Sequence, residues 1–371
     1  MLEDQRHILG QITEIIKEES PEAVLIAGDV YDKPTPSAEA VLLFDDFISG
    51  LADMGSEVFI ISGNHDSAER LSFGSRIMDK RGIHFAGGYD GQIHMFSPDD
   101  EYGKVNFYML PFIKPLHVRA VAEANAAEGE AMPEIRTYTD AVGYAIDNMH
   151  VDGSERNVLI AHQFVTDAVR CESEEVSVGG LDNVDAEVFS PFDYTALGHL
   201  HGPQCCGNES IRYCGSPLKY SFSEADQLKS VTVVELGDKK DGRCGLHIRT
   251  RELIPLREMR VLRGGFNELT DMNYYKGLNT DDYFRIILTD EEDIIGALAG
   301  LRAVYPNIMR LDYDNIRTRK AAFLPASPAN EGKTLIEIFN DLYVAQNGSC
   351  MDEEQIKIVT DMLEKIRSEE I

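Results

Sequence analysis

The sequence predicts an α/β fold with a sheet covered on both faces. Two observations carry this. Amphipathic segments of helix length alternate with short, nearly all-apolar runs of strand length, and strands lacking a polar face belong in a doubly covered sheet. Polar residues rich in Gly, Asp, Asn and His follow directly after those runs, where open α/β folds place their sites. At 371 residues the chain is too long for one ordinary domain, and 43% hydrophobic content suffices for a real core.

The elements follow in order. Residues 3–19 read as a helix, with Ile8, Ile12, Ile15 and Ile16 on one stripe and Ser20-Pro21 as the stop. Residues 23–27 are a buried strand, 37–54 a helix, 57–62 a second strand and 67–81 a third helix. Residues 157–161, 194–197 and 231–236 are further strands, and the polar stretch 237–245 reads as a boundary that closes a first domain at about residue 240. A smaller α+β unit follows over 250–316, with strands at 260–262, 283–288 and 308–313 and a helix at 291–304. Residues 317–332 hold Pro325 and Pro328 and read as a linker. Residues 333–371 then form a helical hairpin of 333–346 and 352–368, split at Asn347-Gly348. Its two apolar stripes point to a partner surface, the bland alternative being that it folds back on its own chain.

Charge and cysteine content narrow the class. Thirty-five Lys and Arg against 64 Asp and Glu leave a formal −29, which disfavours coating of nucleic acid or anionic membranes by the chain alone. Bound divalent cations can invert that charge locally. Residues 243–265 are an exception, with six Arg against Glu252 and Glu258. No apolar run is long enough to span a membrane, and the first residues lack the pattern of a secretory signal. The six cysteines show no CxxC spacing, so reduced thiols and a cytoplasmic location are expected. Cys205 and Cys206 near His201 do not make a zinc site, because adjacent cysteines rarely close a tetrahedron.

Four polar clusters follow four apolar strands: Gly28-Asp29-Val30-Tyr31-Asp32, Gly63-Asn64-His65-Asp66, His162-Gln163 and Gly198-His199-Leu200-His201. They offer imidazole, carboxylate and amide oxygen, the donors of borderline-to-hard divalent metals. Glycine ahead of a ligand lets the backbone turn sharply and lets substrate come close. One strand-end histidine alone is usually structural, and GDxxD alone is a common turn. All four in this order point to a metal site.

The order GDxxD, GNHD, a lone His, then GHxH resembles the calcineurin-like binuclear metallophosphoesterases. The stretches GDVYDKPTPS at 28–37, ISGNHDS at 61–67, ALGHLHGPQ at 196–204 and YCGSPLKYSFSE at 213–224 resemble the nuclease subunits of bacterial SbcCD-type exonucleases, over essentially the whole chain. The resemblance implies a four-layer α/β metallophosphoesterase sandwich with a small α+β capping domain and a C-terminal helical hairpin. It implies two Mn²⁺ (or Mg²⁺) ions, with Asp29 bridging both, Asn64, His162 and His199 on the second and His201 on the first. His65 is then the catalytic histidine, oriented by Asp66, with Asp32 beside the site. Two such ions about 3.5–4 Å apart can hold a phosphodiester and stabilise both apical oxygens.

It further implies an ATPase partner of the SbcC type, action on double-stranded DNA ends and hairpins by 3′→5′ exonuclease and endonuclease cleavage, and a homodimer. Arg243, Arg249 and Arg251 are candidate phosphate contacts. One departure stands out: the family's Asp-x-His motif, on a strand ahead of the first helix, does not occur in these residues. The expectation is a start upstream of Met1, with a truncated, weakened first metal site as the alternative. Two rivals remain open. One is a metallophosphoesterase for phosphoproteins or small phosphodiesters, although Lys33-Pro34 and Asp66 replace that branch's Arg-Gly and Glu. The other is a non-catalytic scaffold.

Overall fold

A computed structural model describes residues 1–92, 94–126, 133–166, 168–171, 174, 182–292, 294–316, 335–347, 350–352, 355–360 and 362. The chain divides into two compact units, Met1–Leu256 and Arg257–Ile371.

In the first unit α1 (Leu2–Glu19) carries Glu3 and Asp4 in its first turn and stops at Ser20, whose left-handed φ of 46° precedes Pro21. It leads into β1 (Ala23–Ala27). The next helix, α2 (Ala38–Met54), starts where Ser37 accepts a hydrogen bond from the Ala40 N–H and ends at Gly55 in the left-handed region. Next is β2 (Glu57–Ile61). The single helix expected over 67–81 is instead two short turns, α3 (Ala68–Leu71) and α4 (Ser75–Met78). Gly74, at φ 77°, breaks it between them. Then come β3 (Ile83–Ala86), the short β4 (Met95–Phe96) and β5 (Asp99–Asp100), and the long β6 (Gly103–Leu110). Helices α5 (Pro115–Asn125) and α6 (Tyr138–Asp147) precede β7 (Arg156–His162). The remaining strands of the unit are β8 (Phe164–Val165), β9 (Asn183–Val184), β10 (Tyr194–Gly198), β11 (Gln204–Cys206), β12 (Asn208–Tyr213), β13 (Ser230–Lys240) and β14 (Arg243–Glu252).

These elements make four layers. Strands β1, β2 and β3 form one parallel sheet. A second sheet runs β11-β12-β10-β7-β6-β4, with β12, β10, β7 and β6 parallel. Phe59, Ile61 and Ala86 of the first sheet pack against Phe107, Met109, Val158 and Ile160 of the second. The outer face of the first sheet is covered by Ile16 of α1 and Ile48 and Leu51 of α2. The outer face of the second is covered by Val118 and Ala122 of α5 and Ala141, Val142 and Ile146 of α6. The chain is therefore the four-layer α/β sandwich.

The polar stretch 237–245 is not a boundary. It is the tip of the antiparallel β13–β14 hairpin, where Asp241 and Gly242 take positive φ and Lys240 pairs with Arg243. The hairpin is tied back to α1: Arg249 binds Glu19 and Glu235, and Arg251 binds Glu18 and Glu19. Ile8 and Ile15 of α1 also pack with Leu218 and Leu253.

In the second unit β15 (Met259–Gly264), β16 (Tyr283–Leu288) and β17 (Ile308–Tyr313) form a parallel three-stranded sheet. The first crossover carries α7 (Phe266–Leu269) and α8 (Met272–Tyr275), the second α9 (Ala297–Arg302). Their core is Phe284, Ile286, Leu288, Leu301 and Tyr305. The helix expected over 291–304 is shortened because Gly296, at φ 74°, starts it late. The last helix is α10 (Leu335–Asn347). The linker expected at 317–332 lies outside the described residues. Of the second hairpin helix, 355–360 and 362 are helical and most of the rest is likewise outside.

Leu51 has 0% exposure between α2 and the first sheet. Leu51→Ala is expected to destabilise the first unit by about 2–5 kcal/mol, the scale of a buried leucine truncation, read as a lower urea midpoint with unchanged slope.

Candidate metal centre

The site forms where strand ends from both sheets meet. Ala27 ends β1 opposite Ile61 of β2, and Gly198 ends β10 opposite His162, the last residue of β7. The loops approach too closely for side chains at the glycines. A β-carbon on Gly63 would lie 2.0 Å from Asp29 Oδ1, and one on Gly198 would lie 1.7 Å from the Ala27 carbonyl oxygen. Two non-glycine residues at the site take positive φ, Asp29 at 49° and His199 at 100°. Such backbone persists only where surrounding structure fixes it, and it clusters at functional sites.

Asp29, His162 and His199 each offer a ligand atom, all within 4.8 Å of one another. Asn64 Oδ1 is 3.0 Å from both His162 Nε2 and His199 Nδ1, and Asp29 Oδ2 is 3.2 Å from His162 Nε2. His162 has 0% exposure, and its Nδ1 donates to the Ala27 carbonyl at 2.7 Å. In the neutral ring that fixes the lone pair on Nε2, facing a carboxylate and an amide oxygen. Acceptors pressed together in a half-buried site repel one another unless a cation sits among them. The donor set, two imidazoles with a carboxylate and an amide oxygen, suits a borderline-to-hard divalent cation. Burial raises the Asp29 carboxyl, but in the metal-free site a protonated His162 ring and the His65 N–H outweigh it and hold the pKa at about 2. Burial, then the neighbouring His162, lower His199 to about 4.

The structure locates the other expected site residues. The hydrogen bonds of Asp66 do not go to the His65 ring. Its carboxylate accepts the N–H groups of Val30, Tyr31 and Gly63, at 3.1, 2.9 and 2.9 Å, and so locks the first two loops together. Burial, opposed by those N–H groups, leaves its pKa raised. His65 donates its backbone N–H to Asp29 Oδ1 at 3.0 Å, and its Nδ1 lies 3.1 Å from the Asp32 carbonyl oxygen. Asp32 thus meets His65 through its backbone, its own carboxylate being exposed beside Lys33.

His201 lies outside the Asp29 cluster, the one group of its kind among the described residues. Its Nδ1 is 3.2 Å from Glu224 Oε1, and its N–H donates to Glu174 Oε1 at 2.6 Å. Arg249 and Arg251 pair with Glu18, Glu19 and Glu235, which ties the hairpin to α1. Arg243 is exposed at the hairpin tip. Sequence reasoning passed over Glu174, Glu224 and Lys229. Ser221-x-x-Glu224 spells a capping box, which the structure forms, and that spacing was the available signal for Glu224.

Residues 2–203 match the calcineurin-like phosphoesterase family, and residues 255–347 match the type 5 capsule protein repressor C-terminal domain. The chain is 30% identical over 370 residues to the SbcD component of the SbcCD nuclease of Staphylococcus epidermidis, covering 96% of this chain and 92% of that one.

The lowered pKa of His199 carries a pH signature. Its ordinary value is 6.5 and its folded value about 4, so between these the unfolded chain binds the proton more readily. Its share of stability is intact above about 6.5 and is lost as pH falls toward 4. The metal-free chain should show a urea midpoint that declines from pH 7 to pH 5, with a shallower decline in His199→Asn. Asp66→Asn should cost about 1–3 kcal/mol, because an amide cannot accept all that the carboxylate does. An unchanged midpoint would show that the two loops hold without it.

Proposed function

This chain belongs to the calcineurin-like phosphoesterases, as an SbcD-type protein, and from that premise we propose that it is the metal-dependent nuclease subunit of a two-component DNA repair complex. The observation that carries the reading is the convergence of Asp29, Asn64, His162 and His199 as acceptors, with His65 held at its rim. Asp29, Asn64, His162 and His199 would hold one cation, and His201 would serve a second, less completely. When bound, Mn²⁺ or Mg²⁺ supplies positive charge that polarises the phosphoryl oxygens.

The protein's own part is positioning and proton transfer. The Asp32 carbonyl can only accept a hydrogen bond, so the Nδ1 of His65 that faces it carries a hydrogen, and Nε2 is the nitrogen left to exchange a proton with the substrate. That nitrogen protonates the leaving sugar oxygen of the scissile phosphodiester. Asp66 keeps the His65 loop against the Asp29 loop while this happens.

The substrate is double-stranded DNA at ends and hairpins, cut by 3′→5′ exonuclease and endonuclease action in the cytoplasm. An SbcC-type ATPase supplies most of the DNA-binding surface, which reconciles a −29 subunit with that substrate. Exposed Phe339 and Leu342 on α10, with Ile356, Ile358 and Met362 beyond it, are the apolar surface offered to that ATPase. Phe73 and Ile77, at 84% and 75% exposure, and Leu42 on α2 form a second apolar surface that fits a two-fold homodimer. A second reading is a catalytically impaired scaffold holding one cation, favoured by His201 standing outside the Asp29 cluster.

Two measurements test this. His65→Ala should lower Mn²⁺-dependent cleavage of hairpin DNA by about 10²–10⁴-fold while the Mn²⁺ affinity seen by electron paramagnetic resonance stays within about twofold. Parallel loss of both would make His65 a ligand, and an inert wild-type chain would favour the scaffold. Light scattering should give a dimer that Phe73→Asp with Ile77→Asp converts to monomer. A wild-type monomer at all concentrations sinks the dimer.

A further inference from the structure

Behind the loop that carries His199 and His201 lies a buried ion pair that the reaction described above does not use. Glu224 has 0% exposure and Lys229 has 4%. Lys229 Nζ donates to Glu224 Oε2 at 2.6 Å, to the His201 carbonyl at 2.7 Å, to Gln227 Oε1 at 2.9 Å and to Ser216 Oγ at 3.0 Å. Glu224 Oε1 receives the Ser221 N–H at 3.1 Å, the Ser221 hydroxyl at 3.2 Å and the Tyr220 N–H at 3.3 Å. His201 Nδ1 lies 3.2 Å from the same oxygen.

Electrostatics fixes the roles in this cluster. Glu224 Oε1 already accepts the Ser221 and Tyr220 N–H groups and Oε2 accepts the Lys229 ammonium, so both oxygens face donors and the carboxylate acts as acceptor toward His201. Nδ1 of His201 must then carry the hydrogen. In the neutral imidazole that leaves the lone pair on Nε2. The same ammonium grips the His201 backbone carbonyl, so ring and main chain are set by one buried pair. Imidazoles that serve cations commonly have their other nitrogen held by a carboxylate in this manner.

We propose that Glu224, held by Lys229, is a positioning residue that fixes His201 in the Nδ1–H tautomer and so makes Nε2 its cation-donor atom. This rests on His201 serving a cation, as in the function proposed above. A purely structural Glu224 would cap the turn at 222–224 and stabilise the fold without selecting a tautomer.

The test is long-range ¹H–¹⁵N NMR of the metal-free full chain at pH 8, with ¹⁵N-histidine and the His201 signals assigned through His201→Gln. The wild type should show His201 chiefly as Nδ1–H. In Glu224→Gln the one amide oxygen stays on Lys229 and the NH₂ faces Nδ1, so Nε2–H should become the major form. A wild type that is chiefly Nε2–H overturns the proposal, and this readout stands even if Glu224→Gln fails to fold. A folded Glu224→Gln with unchanged tautomer also overturns it. Mn²⁺-dependent hydrolysis of bis(p-nitrophenyl) phosphate gives a second readout. Glu224→Gln should lose about 10–100-fold, and adding it to His201→Gln should cost nothing further. Independent, additive losses overturn the proposal. A wild type that hydrolyses nothing would instead count against the phosphodiesterase reading and leave the tautomer to decide this one.

Discussion

The whole centre depends on how closely the ends of β1, β2, β7 and β10 approach. At Gly63 and Gly198 there is no space for a β-carbon, because Asp29 and Ala27 already occupy it. Only that closeness lets one asparagine oxygen reach two imidazoles from another sheet. Asp29 and His199 adopt positive φ as part of the same fit, at an order of 1–3 kcal/mol each. The apolar face between the sheets, with Phe59 against Phe107 and Ile61 beside Ile160, holds the strands while their ends carry this strain. The Asp66 carboxylate does the same locally, gathering backbone N–H groups from both loops.

Much of the architecture was legible because its signals were local. Ile8, Ile15 and Ile16 marked the face of α1 that is buried, and Ser37 and Gly55 bounded α2 as caps. The apolar runs at 23–27 and 57–61 are strands of the first sheet. The ligand clusters were legible for the same reason, since each sits directly after its strand. What failed was non-local or depended on one glycine. Gly74 and Gly296 broke or shortened helices whose periodicity continued past them. The stretch 237–245 looked polar because a hairpin tip is solvated, and nothing local showed that β13 and β14 continue on either side. The pairing of Arg249 and Arg251 with Glu18 and Glu19 was invisible locally because those acids lie some 230 residues earlier in the chain. Lys229 escaped because a buried ion pair has no periodic signature, and Glu224 because its capping-box spacing marks a turn and not a site.

The acidic surplus also hides an ordered interior electrostatics. Arg156, Lys229 and Lys239 are buried or nearly so, and each is matched to a carboxylate: Asp100, Glu224 and Asp193. Pairs of this kind add little net stability over apolar substitutes, but breaking one leaves a charge stranded in the core. They therefore act on geometry. Arg156 ties β7 to Asp100 and the Gly103 and Leu236 carbonyls, and Lys239 ties the hairpin to Asp193 beside β10.

The bond between Glu19 and Arg249 has a consequence for synthesis. Residues 19 and 249 are separated by 230 positions, and Ile8 and Ile15 likewise wait for Leu218 and Leu253. At ribosomal rates of about 5–20 residues per second, that interval is roughly 10–50 s. During it Ile16 can already pack on Ile48 and Leu51, while Ile8 and Ile15 still lack Leu218 and Leu253. The nascent chain thus closes the α1 stripe in two stages, Ile16 early against α2 and Ile8 with Ile15 only after Leu218 and Leu253 have been made.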